Sequence, residues 1–323
     1  MTRWLAARLL QGLVIVLLVV TLTFVLLQAA PGDPLSTLAD QPQVHPEVVE
    51  QLRRNFGLDQ PVHVQYVRYL ARLAQGDLGI SYLWNRPVAD AIAAAIPNTL
   101  LLAGAALLID FALGIGIGVL QAVRRRTWTD RLLSFVTVGL YSTPVFWLGL
   151  VLIYVFGEQL GWLPVGGAID PASHAGLSPL GRLADRLHHL VLPALTLGVV
   201  GASVTARYQR AAMLEVIGQD FVRTARAKGL RDRLVLLRHA LRNALLPVIT
   251  LAGLAFPVLL SGAVLVETVF AWPGLGRLAA DAVLRRDYPL VTGTALLAAA
   301  MVVVGNLLAD LAVRAADPRT RHA

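Results

Sequence analysis

The chain has 323 residues, 56% hydrophobic and 15% charged, with a mean hydropathy of +0.65 and a net charge of +8. Soluble domains carry roughly 25% charged residues, so the composition excludes an ordinary soluble globule and points to an integral membrane protein. The basic residues cluster at the ends of apolar stretches and not over a polar domain, which argues against a nucleic-acid partner, and the lack of cysteine excludes disulfide frameworks and thiolate metal or redox sites.

The first apolar stretch is Leu9–Ala30, preceded by Arg3 and Arg8. It is longer than the core of a signal peptide, about 7–15 residues, and stops at Pro31 and Pro34, so a retained transmembrane helix is expected. Residues 31–98 form a long loop. Within it, Pro46–Phe56 predicts a short helix closed by Gly57. Pro61–Leu73 places Val62, Tyr66, Tyr69, Leu70 and Leu73 on one helical face, a packing or interfacial stripe.

A helix that crosses the hydrocarbon core needs about 20 mostly apolar residues. Five further stretches meet that requirement: Leu100–Val123, Leu132–Phe156, Leu190–Ala206, Leu245–Val266 and Leu290–Val313. Gly114, Gly116 and Gly118 lie inside the second span, where close helix packing explains them better than a phosphate loop. Asp110 interrupts the same span. A carboxylate at that depth must face the bundle interior or water, as a pathway or gating group or as the partner of an internal hydrogen bond. His188 and His189 are adjacent, hence about 100° apart on a helix, and chelate poorly as a pair, so no metal site is expected. Glu267 ends the fifth span, where solvation is easy. Trp162, Phe270, Trp272 and Tyr288 fall near expected boundaries, as an aromatic belt would. Pro247 joins a basic segment to the fifth span and is a candidate hinge.

Orientation follows from arginine and lysine in the loops. With the N-terminus in the cytoplasm, the inner segments hold Arg3 and Arg8, Arg124–Arg126 with Arg131, the dense run from Arg207 to Arg242, and Arg314, Arg319 and Arg321. The expected fold is all-α, with six transmembrane helices and both termini inside.

The dense run contains RTARAKGLRDRLVLLRHALRNALLP, residues 223–247, in which seven basic residues oppose one acid, Asp232. A helix lying on anionic lipid should show one wide apolar face edged with arginine. Residues 223–229 instead alternate small and basic side chains and end at a glycine, which suits a compact helix seated in a groove of another protein.

QDFVRTARAKGL (219–230) followed by RHALRNALLPVIT (238–250) resembles the cytoplasmic coupling loop of binding-protein-dependent ABC importer permeases of the dipeptide, oligopeptide and nickel group. PGDP (31–34), FGLDQPV (56–62), IPNTLLLA (96–103), PVFWLGL (144–150), LGWLPVGG (160–167), VETVFAWPGLGRL (266–278), NLLADL (306–311) and DPRTR (317–321) agree, in order, over nearly the whole chain. The chain looks like the first, B-type permease of such a pair. One departure stands out. Arg223, Thr224 and Ala225 occupy the family's Glu-Ala-Ala positions, and thirteen residues after Gly229 stands Arg242, with the proline at Pro247.

The resemblance implies a type I ABC importer permease fold in a multi-pass cell-membrane protein. The implied organisation is an N-terminal transmembrane helix (1–30), an outer loop with short helices (31–94), a five-helix core (95–311) with the coupling loop at about 212–246, and a cytoplasmic tail (312–323). It implies a second permease subunit, cytoplasmic ABC ATPases, an extracytoplasmic solute-binding protein and the lipid bilayer as partners. Asp220, Arg223, Thr224, Ala225, Arg226, Ala227, Lys228 and Gly229 would form the ATPase-docking helix, with Asp110 and Pro247 as pathway or hinge residues. Di- or oligopeptide is the expected cargo, with nickel or another small solute as the alternative. The chain has no P-loop, so ATP hydrolysis falls to a partner and no cofactor is expected. An ion-driven secondary transporter should show internal repeats and paired intramembrane charges, and an intramembrane enzyme should show a motif such as H-E-x-x-H or G-x-S-x-G. Neither pattern is present.

Overall fold

The computed structural model describes residues 2–30, 46–55, 57–82, 84–249, 251 and 263–316. Every element among them is helical, apart from an isolated antiparallel bridge between Ile80 and Pro87. Four helices are long and apolar enough to cross a membrane, and a bent pair makes a fifth crossing if counted as one span. The expected span Leu245–Val266, the proline pair near residue 31 and the terminal DPRTR lie largely or wholly outside the described residues.

Helix α1 (Thr2–Ala29) is an unbroken apolar run. Helix α2 (Pro46–Asn55) carries Glu47 in its first turn and Arg53 and Arg54 in its last, each sign matched to the helix dipole. It closes as expected: the Gly57 N–H donates to Arg54 O at 3.0 Å and the Leu58 N–H to Arg53 O at 2.9 Å. On α3 (Val62–Ala74) the middle of the stripe packs, while Val62 at its start is exposed. Tyr66 and Tyr69 lie 5.2 and 5.8 Å from the Phe24 ring, and the Tyr66 and Thr21 hydroxyls are 2.7 Å apart.

Helix α4 (Val88–Val123) starts twelve residues before the expected span and runs through Pro97. Helix α5 (Trp128–Ser142) is capped by Thr127. The single crossing expected over Leu132–Phe156 is instead a broken pair, bent by 105° between α5 and α6 (Val145–Leu152), with π-helical turns continuing α6 over Ile153–Gln159. The cause is Pro144, which offers no N–H and pushes Thr143 into extended backbone (φ −83°, ψ 127°). Helix α7 (Pro179–Ile217), capped by Ser178 with Pro179 at its first position, runs well past the expected Leu190–Ala206 because both of its ends are amphipathic and not uniformly apolar. Helix α8 is Asp220–Ala227. Then α9 (Asp232–Leu234) passes through π-helical turns at Val235–Ala240 into α10 (Leu241–Ala244). Helices α11 (Val264–Val269), α12 (Leu275–Leu284) and α13 (Tyr288–Ala316) complete the described chain.

Contacts divide the chain into two units. The first comprises Met1–Thr99, Ser261–Val264 and Pro273–Val303. Its core sets Val88, Ala91, Ile92 and Ala95 of α4 against Leu275, Leu278 and Ala282 of α12 and Leu290 of α13. Asp287, 1% exposed, accepts the Ser81 hydroxyl and the Tyr82 and Leu290 N–H groups, which ties the loop before α4 to the start of α13.

The second unit comprises Leu100–Leu260, Leu265–Trp272 and Val304–Ala323. One of its clusters joins Leu102, Ala168, Leu190, Ala194 and Trp272. Gly114 and Gly118 of α4 serve close packing on α7, whereas a Cβ at Gly116, expected to pack likewise, would meet nothing within 4 Å. A Cβ at Gly114 would sit 2.6 Å from the Thr205 Cβ, and one at Gly118 would sit 2.6 Å from the Ala206 carbonyl oxygen. Three expectations for boundary residues need correction. Phe270 and Trp272 are core side chains and not belt residues, and Glu267 is fully buried and not solvated at a helix end. The segment after α11 turns back into the interior, so the Gly167 N–H meets the Phe270 carbonyl at 2.8 Å. Trp162, by contrast, is exposed, as a belt residue would be.

Candidate functional site

The basic segment builds a short helix on an apolar seat supplied by its own chain. Val222 and Ala225 stand three residues apart on the inner face of α8 and are buried. They join Ala212, Met213 and Val216 of α7, Ala122 of α4, Val235 and Ala240 of the π-helical turns, and Ala244 of α10. Burying Val222 contributes about 1.5–3 kcal/mol to holding α8 down. The helix ends in a Schellman motif: the Gly229 N–H donates to Arg226 O at 2.9 Å and the Leu230 N–H to Ala225 O at 3.4 Å. Gly229 adopts φ +78°, a left-handed conformation that costs a side-chain-bearing residue roughly 1–2 kcal/mol.

The opposite face of α8 is open. Asp220, Arg223, Thr224, Arg226, Ala227, Lys228 and Gly229 are all exposed. Arg223 pairs with Asp220 at 3.4 Å and Arg226 with Asp232 at 3.0 Å, both in solvent, where such pairs are worth about 0–1 kcal/mol. Ala225, expected to line the contact with a partner, instead packs inward. The exposed face carries two apolar side chains that the sequence reading left out, Phe221 at 40% and Leu230 at 37% exposed. Helical spacing marks Phe221, which lies one position before Val222 and three before Thr224.

A buried carboxylate ties α5 to α7 two residues before Ala212 of the seat. Asp130, in the first turn of α5, receives Nε and Nη2 of Arg210 on α7, each at 3.0 Å, and also the Arg126 N–H at 3.0 Å. The pair is bidentate, with Asp130 buried. One turn further into α7, the Arg207 guanidinium lies 4.1 Å from the Tyr141 ring centroid.

Asp110 faces α7 and accepts the Thr205 hydroxyl at 2.7 Å, so one of its two expected roles, the internal hydrogen bond, is filled. Gly201 makes this possible, since a Cβ there would meet Asp110 Oδ2 at 2.5 Å. Pro247 is exposed and lies two residues beyond the turn at Leu245 that ends α10. His188 and His189 spend their ring nitrogens on separate partners. His188 Nε2 lies 3.0 Å from Trp162 O, and His189 Nδ1 lies 2.9 Å from Asp185 O. Among the described residues no group of His, Cys, Asp and Glu is arranged to hold a metal ion.

Two family descriptions together cover most of the sequence. Residues 114–322 match the binding-protein-dependent transport system inner membrane component, and residues 1–103 match the N-terminal region of the same family. The chain belongs to the binding-protein-dependent transport system inner membrane component family. It is a multi-pass membrane protein and a permease component of such a transport system. The oligopeptide transport system permease protein AppB of Bacillus subtilis (strain 168) is 41% identical over 323 residues, the full length of both chains. The di/tripeptide transport system permease protein DppB of Pseudomonas aeruginosa (strain UCBPP-PA14) is 42% identical, covering 94% of each. The glutathione transport system permease protein GsiC of Escherichia coli (strain K12) is 41% identical, covering 97% of each. Among solved structures, the MetNI methionine ABC transporter in an inward-facing conformation superposes with a TM-score of 0.53 at 20% identity, over 70% of this chain and 96% of that one. That likeness concerns the fold of the inner membrane component.

Proposed function

We propose that this permease carries di- or oligopeptides inward, driven by ABC ATPases that dock on α8. The observation that carries the reading is the construction of α8 itself. Its inner face is fixed by Val222 and Ala225, its end is locked by the Schellman turn, and its outer face, with the turn that follows, presents Phe221, Thr224, Lys228 and Leu230 at the surface. A helix held rigidly on one side and left open on the other can transmit a push from a partner into α7, against which it is seated. AppB, DppB and GsiC are named for peptides or for glutathione, itself a tripeptide, which favours peptide over nickel.

The rest of the assembly follows from the same reading. Six spans have both termini in the cytoplasm, the loop at 31–94 lies outside, and the core runs from about 95 to 311, with the basic segment at about 212–246 facing the ATPase. A second, homologous permease completes the pathway, and an external binding protein delivers the solute. Asp110 and Pro247 are the residues of this chain assigned to gating and to the joint between α10 and the following span.

The test is uptake by proteoliposomes. The two permeases reconstituted with ATPases and binding protein should accumulate a labelled dipeptide only when ATP is supplied on the ATPase side. Accumulation by this chain alone, driven by an ion gradient, would contradict the proposal.

A further inference from the structure

The first unit contains a cavity of about 170 Å3 where the end of α1 meets α2, α3 and the start of α13. Three guanidiniums line it, from Arg54 on α2 and from Arg68 and Arg72 on α3, against one carboxylate, Asp77. That carboxylate already accepts the Gly79 N–H at 2.8 Å. Arg54 has a long contact with Glu50, 3.7 Å. Neither Arg68 nor Arg72 is ion-paired among the described residues. These two stand four residues apart on one helical face, a spacing at which like charges destabilise a helix.

The surroundings say what kind of anion fits. Phe24, Tyr69, Tyr82 and Tyr288 share the lining, and aromatic rings of this type collect at the membrane–water boundary. Phe24 and Leu27, on the last turns of the transmembrane helix α1, supply an apolar part of the same lining. Burial raises the Tyr82 phenol above its usual pKa, so Tyr82 remains a neutral donor. A group bound here would have its charge among the arginines and its apolar tail along α1. Guanidinium forks match phosphate oxygens in geometry and charge.

We propose that this cavity is a binding site for the phosphate headgroup of an anionic phospholipid, held by Arg68 and Arg72 with its acyl chains against α1. The proposal is independent of the cargo and of the ATPase contact. It ties the amphipathic helix α3 to the bilayer surface.

The experiment uses the full-length chain in nanodiscs of equimolar phosphatidylcholine and phosphatidylglycerol, and native mass spectrometry reads which lipid is retained on detergent release. Wild type should retain phosphatidylglycerol preferentially, and the Arg68→Gln/Arg72→Gln double variant should retain roughly tenfold less. Arg53→Gln, on α2 but outside the cavity lining, should behave as wild type. A photoactivatable phosphatidylglycerol added to wild type should label the peptide that spans residues 62–79, a readout that needs no variant to fold. Equal retention of the two lipids, labelling confined to other segments, or displacement of the lipid by a dipeptide would overturn the proposal. The last result would make the cavity a carboxylate site for cargo.

Discussion

Phe221→Asp is expected to abolish recovery of the ATPases with the permease, while the protein still inserts and folds. Phe221 is an aromatic side chain held 40% exposed on a helix whose other face is anchored in the protein. Aromatic anchors at the centre of an interface typically cost 2 kcal/mol or more when removed. A carboxylate in the same pocket adds a desolvation penalty, so a loss of at least about thirtyfold in affinity follows. The side chain is not among the buried residues of the seat, so the thermal midpoint of the isolated permease should change little. Ala225 gives the contrasting case. It packs at 6% exposure against α7 and the π-helical turns, so Ala225→Leu should lift α8 off its seat and lower stability as well as docking. Gly229→Val should loosen the end of the helix through the left-handed turn and leave the seat intact. Pull-down of the ATPase, paired with thermal unfolding in detergent, separates the three. Wild-type recovery of ATPase by Phe221→Asp would count against the exposed face as the contact.

The largest stability effect is expected from Arg210→Ala. Asp130 is buried, and its carboxylate is satisfied by two bonds from Arg210 and one from the Arg126 N–H. Removing the guanidinium leaves a buried charge with only the Arg126 N–H and the neutral Ser134 hydroxyl to meet it, a change that costs about 3–5 kcal/mol. The solvent-exposed pairs on α8 are worth at most about 1 kcal/mol each, so Arg223→Ala should be nearly silent in the same assay. Arg210→Lys should recover only part of the loss, since an ammonium cannot reproduce the two-pronged contact. The double variant Asp130→Ala/Arg210→Ala should be more stable than Arg210→Ala alone, because the orphaned charge is gone. Thermal unfolding of the purified variants checks this order, and a wild-type midpoint for Arg210→Ala would contradict it.

What the sequence disclosed follows the range of the interaction concerned. The end of α2 at Gly57 and the end of α8 at Gly229 were readable because a cap is decided by residues within one turn. The packing role of Gly114 and Gly118 was readable because four-residue spacing of small side chains inside an apolar run has few other uses. The pair of Asp130 and Arg210 was not, because the partners are eighty positions apart and each sits in a loop-proximal segment that reads as a topology signal. Phe270, Trp272 and Glu267 were misplaced for the same reason: their burial comes from a backward turn of the chain that no local pattern encodes. The apolar run continues on both sides of Pro144, so length alone suggested one straight span. On α8 the composition was informative and its direction was not. Small residues were taken for the outer contact, whereas Ala225 is small because the chain packs on it from within, and Phe221 occupies the open face.

The most direct test of the account is the sidedness of α8. The chain contains no cysteine, so Lys228→Cys places a single thiol at the exposed end of that helix without background. A membrane-impermeant maleimide should leave this thiol unlabelled in intact cells and label it in inside-out vesicles, and bound ATPase should protect it. Labelling in intact cells, or labelling in vesicles that added ATPase does not diminish, would contradict a cytoplasmic docking helix.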